Sequence, residues 1–256
     1  MKIVTWNINS IKVRAEFVGM YLDKESPDVL CLQELKLSGD KVPRAVFEDR
    51  GYHLAVHAQK TWNGVLIASR QPIHDVIEGL GDAEEGQARM VVGTTHGIRI
   101  INLYCPQGQS ADSPKFHYKL RFYEALREWI EDEVDLSVPT IVCGDLNIAP
   151  TADDIWDPFS MDGVPSFHPA EHEEWELLLE LGLHDAVREH VAPGTYSFWD
   201  YRGGAFHRGM GMRIDHILVS EPLRSRVEGA WIDRNERKKK GDLKPSDHAP
   251  VGIVLR

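Results

Sequence analysis

Ile3-Val4-Thr5-Trp6-Asn7-Ile8-Asn9 and Ile141-Val142-Cys143-Gly144-Asp145-Leu146-Asn147 follow one plan. Each is an apolar run ending in two amide or carboxylate side chains spaced two apart. Residues two apart in an extended chain point the same way, so each strand end would offer two polar groups on one face. Together the two stretches predict two sheets whose polar strand ends share a cleft.

Working outward, β-branched runs recur at 3–6, 29–32, 65–68, 90–94, 98–104, 140–143, 214–219 and 251–255. Residues 14–24 place Phe17, Val18, Tyr21 and Leu22 at helical spacing, and Ser26-Pro27 stops them. The longest helical stripe, 116–134, carries Leu120, Tyr123, Leu126, Trp129 and Ile130; a third helix covers 175–183 and begins near Pro169. Strands outnumber helices and often follow one another directly. This predicts a layered α/β or α+β sandwich in one domain, 1–256, over a strictly alternating doubly wound sheet.

The charge balance is acidic: 29 basic against 40 acidic side chains, net −11. Binding nucleic acid by overall charge alone is excluded, although local distribution still steers partners. Residues 234–244 (RNERKKKGDLK) go the other way, with six positive and two negative charges, and read as a solvated loop or a phosphate-contacting one. No apolar run reaches the ~18 residues of a membrane span. Met1-Lys2-Ile3-Val4 enters a strand without an apolar leader, and Cys31, Cys105 and Cys143 lie apart in apolar stretches. A cytoplasmic, reducing location with buried free thiols is expected.

Glu34 follows the apolar run at 29–32, Asp215 lies in Arg213-Ile214-Asp215-His216, and Asp247-His248 precedes the last strand. Carboxylate and amide oxygens suit Mg²⁺ or Mn²⁺, and no thiolate and imidazole set for zinc accompanies them. His168 and His172 sit at helical spacing but lack the HExxH order of zinc hydrolases. The chemistry implied is metal-assisted hydrolysis of a phosphodiester: a hard cation polarises the phosphate, a carboxylate deprotonates water, and a histidine bonds the developing charge.

Seven motifs occur in one order: Trp6-Asn7-Ile8-Asn9-Ser10-Ile11, Leu32-Gln33-Glu34-Leu35-Lys36, Asn63-Gly64-Val65, Asn102-Leu103-Tyr104-Cys105-Pro106-Gln107-Gly108, Gly144-Asp145-Leu146-Asn147-Ile148-Ala149-Pro150, Arg213-Ile214-Asp215-His216 and Ser246-Asp247-His248-Ala249-Pro250. On these, over essentially the whole chain, the sequence resembles the exodeoxyribonuclease III family of abasic-site endonucleases, in the endonuclease/exonuclease/phosphatase superfamily with DNase I. The resemblance implies a DNase I-like four-layer α/β sandwich with two central, mostly antiparallel sheets. It also implies cleavage 5′ to abasic sites in double-stranded DNA and 3′-to-5′ exonuclease action, with 3′-phosphatase or 3′-phosphodiesterase activity in many members. A monomer is expected.

By position, the resemblance implies that Glu34 is the principal metal ligand, supported by Asn7 and Asp247, with Asp145 and Asn147 also belonging to the metal site. Asp145 would orient or deprotonate water, Asn147 contact the scissile phosphate, and Tyr104 approach that phosphate or the leaving group. His248 would be the catalytic histidine and Asp215 its orienting carboxylate. Asn9 stands where some relatives carry a second metal-site aspartate, which weakens the case for two strong metal sites. Gln107 would touch DNA, and Lys115 and Lys119 would reach phosphates. Phe198 or Trp199, with Met212 and Ile214, would wall the pocket for the extrahelical sugar. A phosphatase acting on a non-DNA phosphoester and a non-catalytic DNA-binding protein are the alternatives.

Overall fold

The computed structural model describes all 256 residues. Twelve strands form two six-stranded sheets. The first contains β1 (Lys2–Asn7), β2 (Val29–Gln33), β3 (His53–His57), β4 (Val65–Ser69), β11 (Val227–Ile232) and β12 (Val251–Leu255), in the order β11-β12-β1-β2-β4-β3. The second contains β5 (His74–Glu78), β6 (Met90–Thr95), β7 (Ile98–Tyr104), β8 (Thr140–Asp145), β9 (Leu183–Asp185) and β10 (Asp215–Ser220), in the order β5-β6-β7-β8-β10-β9. Each sheet has one parallel pair, β1 with β2 and β7 with β8, and is otherwise antiparallel.

The helices are α1 (Ile11–Glu25), α2 (Ala45–Glu48), α3 (Pro114–Glu133), α4 (Pro169–Glu180), α5 (Ala205–Arg208) and α6 (Glu221–Arg224). Parallel strands need a crossover. Here α1 carries the chain from β1 to β2, and α3 carries it from β7 to β8. Helix α1 stops at Ser26, which turns left-handed (φ 46°) and donates its N–H to Leu22 O. Helix α3 starts at Pro114 behind an Ser113 cap.

Period-2 alternation distributes the core into layers. Ile3, Cys31, Ile67, Ile100, Ile141, Cys143 and Ile217 meet between the sheets. Val4, Leu30 and Leu32 face α1 with Phe17 and Tyr21, while Val142, Ile101 and Leu218 face α3 and α4 with Phe122, Leu126 and Trp175. The expected four-layer sandwich with two mostly antiparallel sheets is the observed one.

A polar clasp crosses the central layer. Gln33 Nε2 donates to Asn102 Oδ1 (2.7 Å), and Asn102 Nδ2 donates to the carbonyls of Leu32 and Leu66 (3.0 and 2.9 Å). Buried amides are costly unless bonded, so this clasp fixes how the sheets slide against each other. It thereby fixes the gap between the ends of β1 and β8. Gly144 serves the same end of β8: at φ 139°, a Cβ there would fall 1.9 Å from Leu103 O, so only glycine lets β7 and β8 approach beside Asp145.

Candidate active site

The two matching stretches end β1 and β8 in the same local structure. Asn9 N–H donates to Asn7 Oδ1 (2.9 Å), and Asn147 N–H donates to Asp145 Oδ1 (3.1 Å). Asn9 and Asn147 are both left-handed, at φ 45° and 54°. The shared-face expectation therefore needs correcting. The chain is not extended past Asn7 or Asp145; an Asx turn closes each strand end and sends the second polar residue elsewhere. The shared cleft does form, since Asn7 Nδ2 on one sheet donates to Asp145 Oδ2 on the other at 2.8 Å.

Asn7 Nδ2 also donates to Glu34 Oε1 (2.9 Å), just beyond β2. Glu34 Oε2 and Asn9 Oδ1 both lie 2.6 Å from the Lys36 ammonium, and Asn9 Nδ2 donates to Asp247 Oδ1 (3.0 Å). Burial would raise the Glu34 carboxyl, but the Lys36 charge and the bonds from Lys36 and Asn7 outweigh it and hold Glu34 ionised below its usual range. Oxygens from Glu34 and Asn9 thus already converge on one cation. The same oxygens suit a hard divalent metal, and Glu34, Asp145 and His248 offer ligand atoms within 4.8 Å of one another.

On the opposite side, Asp215 begins β10 directly across the ladder from Asp145. Its Oδ2 accepts from His248 Nδ1 (2.8 Å) and from Ser197 Oγ (2.6 Å). The other ring nitrogen, Nε2, lies 3.8 Å from Asp145 Oδ2. Burial would pull the imidazolium pKa down, yet the Asp215 and Asp145 charges push it up to about 10. Asp145, 1% exposed, is raised by loss of solvent against the opposing pull of His248. Loss of solvent, with Glu34 and Asp145 nearby, drives the Tyr104 phenol well above its ordinary value, so its hydroxyl stays a donor. Arg89 stacks its guanidinium 5.0 Å from the Tyr104 ring centroid. Asn147 Nδ2 is held by Cys105 O (2.9 Å).

Glu34 (φ 55°), Lys36 (φ 55°) and Ser10 (φ 92°) join Asn9 and Asn147 in the left-handed region. Each such non-glycine residue costs on the order of 1–3 kcal/mol. Their gathering at one cleft marks where backbone strain is used to aim side chains.

An apolar wall flanks the histidine. Phe198 lies 4.8 Å from the His248 ring, centroid to centroid, and exchanges backbone hydrogen bonds with Met212. Met212 and Ile214 pack with Phe198, Ile155 and Phe167. Trp199 does not join this wall. It is 2% exposed on the opposite side, packed with Ala205 and Ala249, because adjacent residues of an extended segment face apart.

Gln107 and Lys115 are exposed and line one groove with Trp62, Arg89 and Tyr104. Lys119 corrects the expectation of a phosphate contact. It is fully buried, paired with the equally buried Glu171, and donates to the carbonyl of Asn147 (2.6 Å). Its place on the inner stripe of α3, among Phe116, Tyr123 and Leu126, removes it from solvent. His168 caps α4 and His172 bonds Ala149 O (3.0 Å), so both are structural. In the sequence, neither Ser197, at the start of the segment expected to frame the sugar pocket, nor Lys36 carries a role of its own. A lone serine carries no pattern, and Lys36 acts through a left-handed turn that no periodicity announces.

The sequence matches the Endonuclease/Exonuclease/phosphatase family over residues 4–248. It is 36% identical to exodeoxyribonuclease III of Haemophilus influenzae, over 98% of each chain. In structure it is similar to a Neisseria 3′ phosphatase, NExo, bound to a product DNA hairpin: 40% identity, TM-score 0.95, covering 100% of this chain and 99% of that one. An AP endonuclease from Archaeoglobus fulgidus is similar at 37% identity and TM-score 0.94, with coverage of 100% and 99%.

Proposed function

Since the chain belongs to the endonuclease/exonuclease/phosphatase family, on its exodeoxyribonuclease III branch, we propose that it is a DNA-repair phosphodiesterase. It incises double-stranded DNA 5′ to abasic sites and removes nucleotides from 3′ ends. The observation that carries the reading is the convergence of Glu34, Asn7 and Asp145 from two sheets on the Asp215–His248 pair.

Glu34, with Asn7 and Asp247, would hold the metal, Mg²⁺ with Mn²⁺ as substitute. Bound there, such a cation polarises the scissile phosphate and steadies the leaving oxygen. Asp145, its basicity raised by burial, accepts the proton of the attacking water; Asn7 and the Asn147 N–H orient its two oxygens. His248, kept cationic by Asp215, donates from Nε2 to a phosphate oxygen as negative charge builds. The neutral Tyr104 hydroxyl and the Asn147 amide supply further donors to the same group. As the water oxygen bonds phosphorus the phosphorus–O3′ bond breaks, and the departing 3′-oxygen takes a proton from solvent to leave as a 3′-hydroxyl.

The wall of Phe198, Met212 and Ile214 accepts a bare sugar. Rotating an abasic nucleotide out of the duplex forfeits less stacking than rotating an intact one, by a few kcal/mol. Removal of a 3′-terminal phosphate is a second reaction of the same site, favoured by the likeness to the 3′ phosphatase bound to DNA. No helix is long and apolar enough to cross a membrane; the three buried free thiols suit a reducing cytoplasm, and we take the enzyme to act as a monomer. Labelled duplexes, intact, abasic or 3′-phosphorylated, incubated with and without chelator, test the reading. Failure of wild-type protein with Mg²⁺ to cut any of them would overturn it.

A further inference from the structure

The basic stretch 234–244 is not used by the chemistry above, and only part of it is solvated. Glu236 and Arg237 are buried. Glu236 is matched by Lys24 (3.3 Å) and Lys240. Arg237 has no such partner. It is 7% exposed, its Nη2 donates to Trp199 O (3.1 Å), and its Nε bonds nothing. Its guanidinium carbon lies 5.3 and 4.9 Å from the ring centroids of Tyr201 and Phe206. Loss of solvent pulls its pKa below the ordinary arginine value. A buried charge without an ion pair is costly, by several kcal/mol for a fully desolvated group, so an anion placed beside Arg237 would be favoured.

Arg237 lines a cavity of about 520 Å³ together with Tyr201, Phe206, Lys238, Lys239 and Lys244. Lys239 and Lys244 are exposed, and the Lys238 ammonium bonds only Asn235 Oδ1 (2.8 Å). Asp200, the one acid of the lining, is taken by Arg202 at 2.6 Å. Four uncompensated cations around two aromatic faces, in a protein of net charge −11, form a local electrostatic footprint for a phosphate group.

The cavity shares its wall with the active site. The Trp199 carbonyl that receives Arg237 belongs to the residue whose N–H donates to Asp247 O (3.0 Å). Tyr201 Oη donates to Pro245 O (2.9 Å) and accepts from Arg14, which also donates to Asn9 O. The cavity is thus joined to the metal side of the cleft through Tyr201, Arg14 and Asn9.

We propose that this cavity is a second phosphate subsite, which holds a non-scissile phosphate of the bound nucleic acid between Arg237, Lys239 and Lys244. The inference rests on the DNA-hydrolase reading. The phosphate is either internal to the backbone or a terminal 5′-phosphate, and both carry the same chemistry.

The test is kcat/KM with Mg²⁺ on a set of abasic duplexes, each with one neutral methylphosphonate at a different position, plus one pair with and without a 5′-phosphate. Wild type is compared with Arg237→Gln and with the double variant Lys239→Gln/Lys244→Gln. The exposed lysine pair keeps the test valid if the buried arginine variant fails to fold. Wild type should lose about 10-fold at one non-scissile position, and the lysine variant should lose little more there than it has already lost on the unmodified duplex. The salt dependence of log KM should flatten by about one per contact removed. Coupling at an internal position identifies a backbone phosphate, and coupling to the 5′-phosphate identifies a terminal one. Cleavage by wild type with the same methylphosphonate profile in wild type and variants overturns the subsite alone. No cleavage of any duplex by wild type overturns the parent reading and the subsite with it.

Discussion

Asp215 and Asp145 face each other across the β8–β10 ladder and hold His248 between them, with Nδ1 2.8 Å from Asp215 Oδ2 and Nε2 3.8 Å from Asp145 Oδ2. One ring is thus oriented by a carboxylate it bonds and charged by two. The imidazolium persists through neutral pH and is lost as pH rises through about 10. Asp215→Asn removes the larger of the two raising charges, so the histidine pKa falls and its cation is lost at lower pH. The basic limb of kcat/KM against pH should move down by at least one unit, with turnover lower by ~10² or more. An unmoved basic limb would show that Asp215 does not set the charge of His248.

Glu34→Gln preserves size and removes one negative charge from the group that Asn7 and Lys36 hold in place. Mg²⁺ affinity should fall by at least ~10-fold, with activity partly restored at high Mg²⁺. Isothermal titration of both proteins checks this, and equal affinities would remove Glu34 from the metal site.

Lys115 and Lys119 lie one helical turn apart in α3 and should respond in opposite ways. Lys119→Ala strands the fully buried Glu171 without its partner, and should cost about 3–5 kcal/mol in urea unfolding. Lys115→Ala should leave stability within about 0.5 kcal/mol and lower the salt slope of DNA binding by about 1. A salt slope lowered by Lys119→Gln at unchanged stability would contradict the buried placement.

Met212 is half-buried beside Phe198 on the apolar wall. A methionine fills a wall less rigidly than an indole. Met212→Trp should raise the ratio of abasic incision to 3′-exonuclease rate. A folded variant with an unchanged ratio would remove Met212 from substrate discrimination.

His57 carries a pH dependence of stability remote from the chemistry. Its Nε2 lies 3.2 Å from Glu84 Oε2 and its Nδ1 3.6 Å from Glu78 Oε2. The bond to Glu84 foremost, aided by both charges and opposed by burial, raises its pKa above the ordinary value. The stabilisation is complete below the unfolded-state pKa, about 6.5, and fades as pH rises through the higher folded value. The stability lost in His57→Gln should be larger at pH 5.5 than at pH 9 in urea titrations. Equal losses at both pH values would show that the pair does not act through charge.

The strands legible in the sequence and those that were not divide by position in the sheets. All eight interior strands were predicted; β3, β5, β9 and β11, missed, are the four sheet edges. Interior strands bury both faces and so read as continuous apolar runs. An edge such as His74-Asp75-Val76-Ile77-Glu78 stays mostly exposed and offers no such run. At the site, residues at strand ends within motifs were readable: Glu34, Asp145, Asp215 and His248 come together as expected. What escaped depends on facts outside local pattern. Which way Trp199 turns is set by the pleat of its segment, and the burial of Lys119 by a carboxylate 52 residues away in sequence.

Strand β12 lies between β11 and β1, paired along nearly its whole length with β1 although most of the sequence separates the two. His248 immediately precedes it, and Trp6 of β1 bonds the His248 carbonyl (3.1 Å). The first sheet and the imidazole opposite Asp145 are therefore both put in place by one pairing of very large sequence separation. Loop closure over so long a stretch costs conformational entropy before the pairing rewards it, so His248 comes into register after the locally paired hairpins have formed.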